Sequence, residues 1–305
     1  MTTASDYASL HSPPLAVRAA RSRRLSDYYE LTKPRMNFLV VATTAVGYYM
    51  AARGWGEWGR LLHTLIGTAL TAASASVLNQ YCERDYDALM DRTSDRPLPA
   101  GRVVPVEALA YGVMLGIIGL SELAFFVNTL TAMLGAITLA SYVFLYTPLK
   151  RWTTLCTIVG AVPGAIPPAM GVVAASGVIT PKALALFGIL FFWQMPHFLA
   201  IAILYRNDYA RGGFKMLPVI DPQLHITGFQ IVLWSLVLIP VTLLPYAFGM
   251  AGAVYFVSAM VMGMIFTAFG AICAIKRGRA EARQLFLASI VYLPFLLASM
   301  MIDKL

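Results

Sequence analysis

Charge is scarce in this sequence. Asp, Glu, Lys and Arg make up 12% of its 305 residues, about half the share of a soluble domain. With 59% hydrophobic residues, the composition excludes an ordinary soluble enzyme and points to an integral membrane protein. Cysteine is scarce as well. Cys82, Cys156 and Cys273 stand far apart without ligand spacing, which argues against a disulfide framework or a zinc site. No GxxxxGK[ST] stretch occurs, so nucleotide hydrolysis on a phosphate loop is not indicated. Residues 1–27 contain no apolar core of the secretory-signal kind. Arg18, Arg21, Arg23 and Arg24 make them a basic cytoplasmic tail, with a mitochondrial transit peptide as the alternative. The net charge of +8 does not imply nucleic acid, because the basic residues stand between apolar runs, as membrane topology requires.

Those runs predict an all-α integral membrane protein with nine transmembrane helices around a central cavity. The spans are expected near 36–52, 61–81, 103–121, 123–146, 155–174, 182–204, 226–248, 252–275 and 284–302. Each must be helical, since lipid offers no partner to an open backbone group. Residues 28–305 then form one nine-helix domain. With the N-terminus in the cytoplasm, only Arg53, Arg60, Lys182 and Lys304 of the 23 basic residues fall on the far side. That bias is the positive-inside pattern. The two longest polar loops, 82–102 and 205–225, both become cytoplasmic. They echo each other in Tyr81–Tyr86 and Tyr205–Tyr209, as a repeated four-helix unit would.

Five of the 15 acids crowd into the first loop: Glu83, Asp85, Asp87, Asp91 and Asp95. Asn79, Glu83 and Asp87 are spaced i, i+4, i+8, so a helix continuing out of the second span carries them on one face. Three oxygen donors stacked this way repel one another unless a cation lies among them. Oxygen-only donors select a hard ion, and magnesium characteristically binds through a few carboxylates and substrate phosphates. Asp208, on the second loop, is a candidate for a further metal site. Arg92, Arg96, Lys150 and Arg151 lie on the same side and suit a diphosphate, Arg as a fork and Lys as a point charge. Each could equally be a topology anchor. His197 follows Pro196, which is expected to break the sixth span, and an ionisable group at membrane depth is a functional candidate. The alternative for His197 is a hydrogen-bonded packing histidine. His11, His63 and His225 lie in loops or at edges.

The arrangement resembles the UbiA superfamily of intramembrane prenyltransferases. Asn79-x-x-x-Glu83-x-x-x-Asp87 is similar to its first metal motif. The likeness extends to the heme O synthase branch through Leu31-Thr-Lys33-Pro-Arg35, Glu83-Arg-Asp85-Tyr-Asp87-Ala-Leu-Met90 and Arg92-Thr-x-x-Arg96-Pro-Leu-Pro99-x-Gly101. Tyr146-Thr-Pro-Leu-Lys150-Arg151, Trp193-Gln-Met-Pro-His197 and Tyr205-Arg-Asn-Asp208-Tyr209 belong to the same set. Two positions depart from the pattern. Asp208 is followed by Gly212 where the family often has a second acid, and Cys156 stands where many relatives carry Asn, with Thr157 beside it.

The resemblance implies transfer of a farnesyl group from farnesyl diphosphate to a vinyl group of heme b, with water addition, giving heme O. It implies Mg2+ on Asn79, Glu83, Asp87 and Asp208. Asp87, Lys150 and Arg151 would act at the reacting bond, Arg92 and Arg96 on the diphosphate, and His197 on the heme. The expected setting is the plasma membrane, with the mitochondrial inner membrane second. Heme A synthase or a terminal oxidase under assembly are the expected partners. A prenyltransferase of the same fold acting on a quinone precursor is the alternative reading. A transporter would explain prolines at the midplane but not the acidic row.

Overall fold

The computed structural model describes residues 24–52 and 57–305. Arg18, Arg21, Arg23, His11 and Arg53, and with them most of the expected basic tail, lie outside the described residues. Among the described residues, helix α1 covers 24–31. The long helices follow in chain order: α2 Pro34–Ala51, α3 Trp58–Asp87, α4 Pro105–Phe126, α5 Thr129–Leu149, α6 Cys156–Ser176 and α7 Pro181–Leu204. After two short helices, α8 Arg206–Arg211 and α9 Leu217–Ile220, come α10 His225–Ala247, α11 Ala253–Lys276 and α12 Arg279–Ile302.

Eight of these helices are long and apolar enough to cross a membrane. The exception is α2, expected as the first of nine spans. It opens on Pro34, Arg35 and Asn37, which dilute its apolarity, yet it exposes Met36, Phe38 and Leu39 as lipid-facing helices do. Against α6 it lies too close for side chains. A Cβ on Gly47 would sit 1.9 Å from Pro168 O, and one on Gly171 would sit 2.0 Å from Thr44 O. In lipid, where apolar burial drives helices together weakly, such close approach supplies the packing energy.

Neighbouring helices pack in sequence: α3 on α4, α5 on α6, α6 on α7, α10 on α11 and α11 on α12, while α12 also lies along α7. The largest cluster of buried apolar residues runs through α6, α7, α10, α11 and α12 and includes Leu186, Ile189, Tyr255, Phe266 and Leu296. One expectation is overturned here. Pro196 does not break the sixth span, because α7 is continuous from Pro181 to Leu204. Pro196 is buried among its neighbours, and in an apolar setting packing and the surviving backbone bonds hold a helix through a missing N–H.

Alternation of the helices brings the ends of α3, α5 and α7 to one side of the bundle, together with the loops that follow them. Contacts tie these parts together: Lys215 N donates to Lys150 O at 2.7 Å, and Arg211 meets Asp91 across 2.6 Å. The loop after α3 is clamped to α1 by Arg102, which reaches Asp27 at 2.8 Å, Glu30 at 3.3 Å and Asp95 at 3.2 Å.

Candidate active site

The helix α3 continues well past its apolar stretch and ends at Asp87, so the spacing of Asn79, Glu83 and Asp87 becomes a shared face. All three are buried, at 2%, 5% and 1% exposure. Asp85 lies on another face of the helix, Asp91 and Asp95 follow its end at Asp87, and all three are exposed. Helical phase at Asp85 and the helix end at Asp87 thus divide the five acids of the loop into two that are buried and three that are exposed.

A buried carboxylate needs a positive partner, and each position in the row has a cation against it. Glu83 accepts from Lys150 Nζ at 2.7 Å, and Asp87 accepts from Arg96 Nη1 at 2.7 Å. Asn79 Oδ1 accepts from Lys33 Nζ at 3.1 Å. The orientation of the Asn79 amide follows from its other side. Thr147 donates its one hydroxyl proton to Tyr142 O at 2.8 Å, so its oxygen accepts from Asn79 Nδ2 at 3.1 Å and the carbonyl oxygen of Asn79 must face Lys33. This geometry depends on a π-helical turn, Ser141–Tyr146, which widens α5 so that Thr147 reaches a carbonyl five residues back. Such turns recur at functional sites.

Aromatic rings enclose the cations. Lys150 Nζ lies 4.5 Å from the Tyr146 ring centre and 5.7 Å from that of Phe214. Burial disfavours its ammonium, but Glu83 more than compensates, and the pKa of Lys150 is raised well above the usual lysine value. Among the described residues Lys33 has no carboxylate hydrogen bond. Burial, and after it the Arg96 charge, push its pKa down to about 7. Lys33 also adopts a left-handed backbone, φ 49°, directly before Pro34. That conformation turns the chain sharply from α1 into α2.

The remaining expected residues lie further out. Arg151 is exposed, its guanidinium 4.2 Å from the Tyr86 ring centre. Arg92 stacks over Tyr205 at 4.5 Å and Tyr209 at 5.1 Å, which joins the first loop to the second. Asp208 pairs with Arg211, which also holds Asp91. The two polar loops thus meet through an Asp91–Arg211–Asp208 bridge. Cys156 is fully buried, packed with Met90, Phe214 and Met216, its Sγ 3.8 Å from Met216 Sδ. His197 is in a different place. Its Nδ1 is 2.7 Å from Ser289 Oγ on α12, and its ring packs on Trp193 and Phe286.

Sequence reasoning placed Lys33, Asp91 and Arg211 on this side of the membrane but gave neither them nor Thr147 a place among the site residues. Lys33 had a visible signal in its position just before a proline that opens a helix. The other three are brought in by tertiary folding. Among the described residues, no group of three or more His, Cys, Asp or Glu is placed to hold a metal by itself. The row offers two carboxylates and one amide oxygen, and this set suits magnesium shared with phosphate oxygens.

The family described as the UbiA prenyltransferase family matches residues 40–297 of the chain. A curated protein of Solibacter usitatus named protoheme IX farnesyltransferase is 46% identical over 289 residues, covering 92% of this chain and 99% of its own. One of Myxococcus xanthus with the same name is 42% identical, covering 92% and 95%. Among solved structures, one described as digeranylgeranylglyceryl phosphate synthase superimposes with a TM-score of 0.76 at 17% identity, covering 92% and 98%. A UbiA homolog from Archaeoglobus fulgidus bound to GPP and Mg2+ superimposes with a TM-score of 0.64 at 17% identity, covering 90% and 99%. At these identities the two structures speak for the fold.

Proposed function

The chain belongs to the UbiA prenyltransferase family, and on that premise we propose a magnesium-dependent farnesyl transfer at the buried end of α3. The reaction moves a farnesyl group from farnesyl diphosphate to a vinyl group of protoheme IX and yields heme O and diphosphate. The quinone-precursor alternative is not favoured, since relatives at 39–46% identity over most of the chain bear the protoheme name.

The observation that carries the mechanism is the row Asn79, Glu83, Asp87 with Lys33, Lys150 and Arg96 against it. Asn79, Glu83 and Asp87 would hold magnesium, with Asp208 contributing from the second loop. Bound there, magnesium supplies charge neutralisation to the diphosphate as its bond to the farnesyl C1 breaks. Lys33, Lys150 and Arg96 exchange their present oxygen partners for phosphate oxygens and take up charge developing on the leaving group. Arg92 and Arg151, at the mouth, attract the anion. The electron pair of the C1–O bond leaves with the diphosphate. The π pair of a heme vinyl group then bonds to C1, and water adds to the remaining vinyl carbon and loses a proton to give a hydroxyl. Apolar helix faces keep water from the farnesyl cation before the vinyl group reaches it.

His197 contacts the heme in this reading. It lies about 10 Å inside the Leu204 end of α7 by helical rise, a depth suited to an acceptor below the diphosphate. On the same reading α2 is a ninth span, and the acidic end faces the cytoplasm from the plasma membrane. Heme O then passes to a heme A synthase or to a terminal oxidase under assembly. The test is the mass of the porphyrin after incubation with farnesyl diphosphate and Mg2+. A gain of one farnesyl group and one hydroxyl is expected. An unchanged porphyrin, or equal product without the metal, overturns the reading.

A further inference from the structure

We propose that Ser289 is a positioning residue for the heme acceptor: its Oγ accepts a hydrogen bond from Nδ1–H of His197, which keeps the proton on Nδ1 and leaves Nε2 as a bare lone pair for the iron. The inference rests on the reading of His197 as the heme contact.

A hydroxyl has one proton to give. Ser289 Oγ lies 2.5 Å from Phe286 O, and a carbonyl can only accept, so the proton is committed there. Toward His197 the same oxygen can then only accept. The 2.7 Å contact with Nδ1 requires the proton to be on Nδ1, and a neutral imidazole then has none on Nε2.

The ring is held as firmly as the tautomer. Trp193, one turn earlier on α7, stacks on it with centres 4.9 Å apart and a 22° tilt, and Phe286 of α12 packs at 5.2 Å. Trp193 Nε1 donates to Ser289 O at 3.0 Å, so α7 and α12 are pinned at this level by both groups of one serine. No described residue hydrogen-bonds to Nε2. His197 is half-buried and its Nε2 is not among the buried unpartnered atoms of the described residues, so that nitrogen stays open to a ligand.

An unprotonated Nε2 is an acceptor and a Lewis base. It repels a propionate carboxylate, which is an acceptor too, and suits a ferric or ferrous iron. Iron-binding histidines usually donate their other ring N–H to a neighbouring oxygen, which fixes the ring and strengthens the ligand. Ser289 occupies that place.

The full chain in lipid nanodiscs is titrated with hemin, and the reduced complex is read by resonance Raman for the iron–histidine stretch. The wild type shows the band, and His197→Ala loses it. Ser289→Ala, which leaves the Trp193 bond to the backbone intact, shifts the band and weakens hemin binding about tenfold. Ser289→Thr, which keeps the hydroxyl, restores both. Farnesyl diphosphate binding stays unchanged throughout as a control for folding. Wild-type band position and affinity in Ser289→Ala overturn the positioning role while the His197 reading stands. A band that survives His197→Ala overturns both. Should Ser289→Ala fail to fold, 15N spectra of labelled histidine in the wild type decide: a Nδ1–H tautomer at His197 supports the role, and a Nε2–H tautomer refutes it.

Discussion

The two ends of the bundle both hold lysines in place, and they do so differently. At the acidic end, Lys150 and Lys33 meet side-chain oxygens of Glu83 and Asn79. At the opposite end, Lys304 Nζ donates to backbone carbonyls, Tyr49 O at 2.5 Å and Ala52 O at 2.7 Å, where α2 runs out of internal partners. Nearby, Asp303 accepts from Tyr255 N at 2.8 Å at the start of α11. Those bonds satisfy groups that a helix end always leaves open, and a diphosphate could not replace them without stranding a carbonyl. On the proposed function, each bond at the acidic end joins a cation and an oxygen that have other partners in a phosphate and a metal. On that reading similar residues close the fold at one end and bind substrate at the other.

The sharpest way to break this contrast is to neutralise the acidic row. Asp87→Asn or Glu83→Gln keeps shape and hydrogen bonding but removes charge. Turnover is expected to fall by roughly 10³-fold, the scale of losing an electrostatic stabiliser of a reacting group, while hemin binding persists. Near-normal heme O production by either variant would place the chemistry elsewhere. At the opposite end, Lys304→Met should cost about 1.5–3 kcal/mol of unfolding stability, as lost hydrogen bonds to a charged donor do, and leave turnover per folded molecule unchanged. A drop in turnover at unaltered stability would abolish the distinction between the ends.

The smallest effect concerns pH. Lys33, pushed down to about 7, is an ammonium below that value and a neutral amine above it. Its attraction for diphosphate is therefore present at pH 6 and lost as the pH rises through 7. KM for farnesyl diphosphate should rise about fivefold between pH 6 and 8.5, within the modest range of one partly buried ion contact. Lys33→Arg, which keeps its charge, should flatten the profile. An identical slope in both proteins would remove Lys33 from the binding of the anion.

The acidic row was legible in the sequence because its information is local. Asn79, Glu83 and Asp87 keep helical phase, and α3 extends to Asp87 to express it. The pairing of the two polar loops was legible from topology, since both follow helices that end on the same side. What joins the row to the rest was not legible. Thr147 orients Asn79 only because a π turn displaces its hydroxyl, and Asp91 meets Asp208 only through Arg211 on the other loop. Pro196 misled for a related reason: a proline signals a break by local rules, and burial in the bundle overrides them. For His197 the sequence indicated depth but not facing, and the contact with Ser289 on the last helix supplies that.

The central claim is that oxygens buried along the end of α3 take a divalent ion together with diphosphate. Mn2+ uptake read by electron paramagnetic resonance, with farnesyl thiodiphosphate as an unreactive analogue, tests it most directly. Wild-type protein should bind Mn2+ in step with the analogue, and Asp87→Asn should abolish that uptake while remaining folded. Equal uptake by the two proteins would contradict the account.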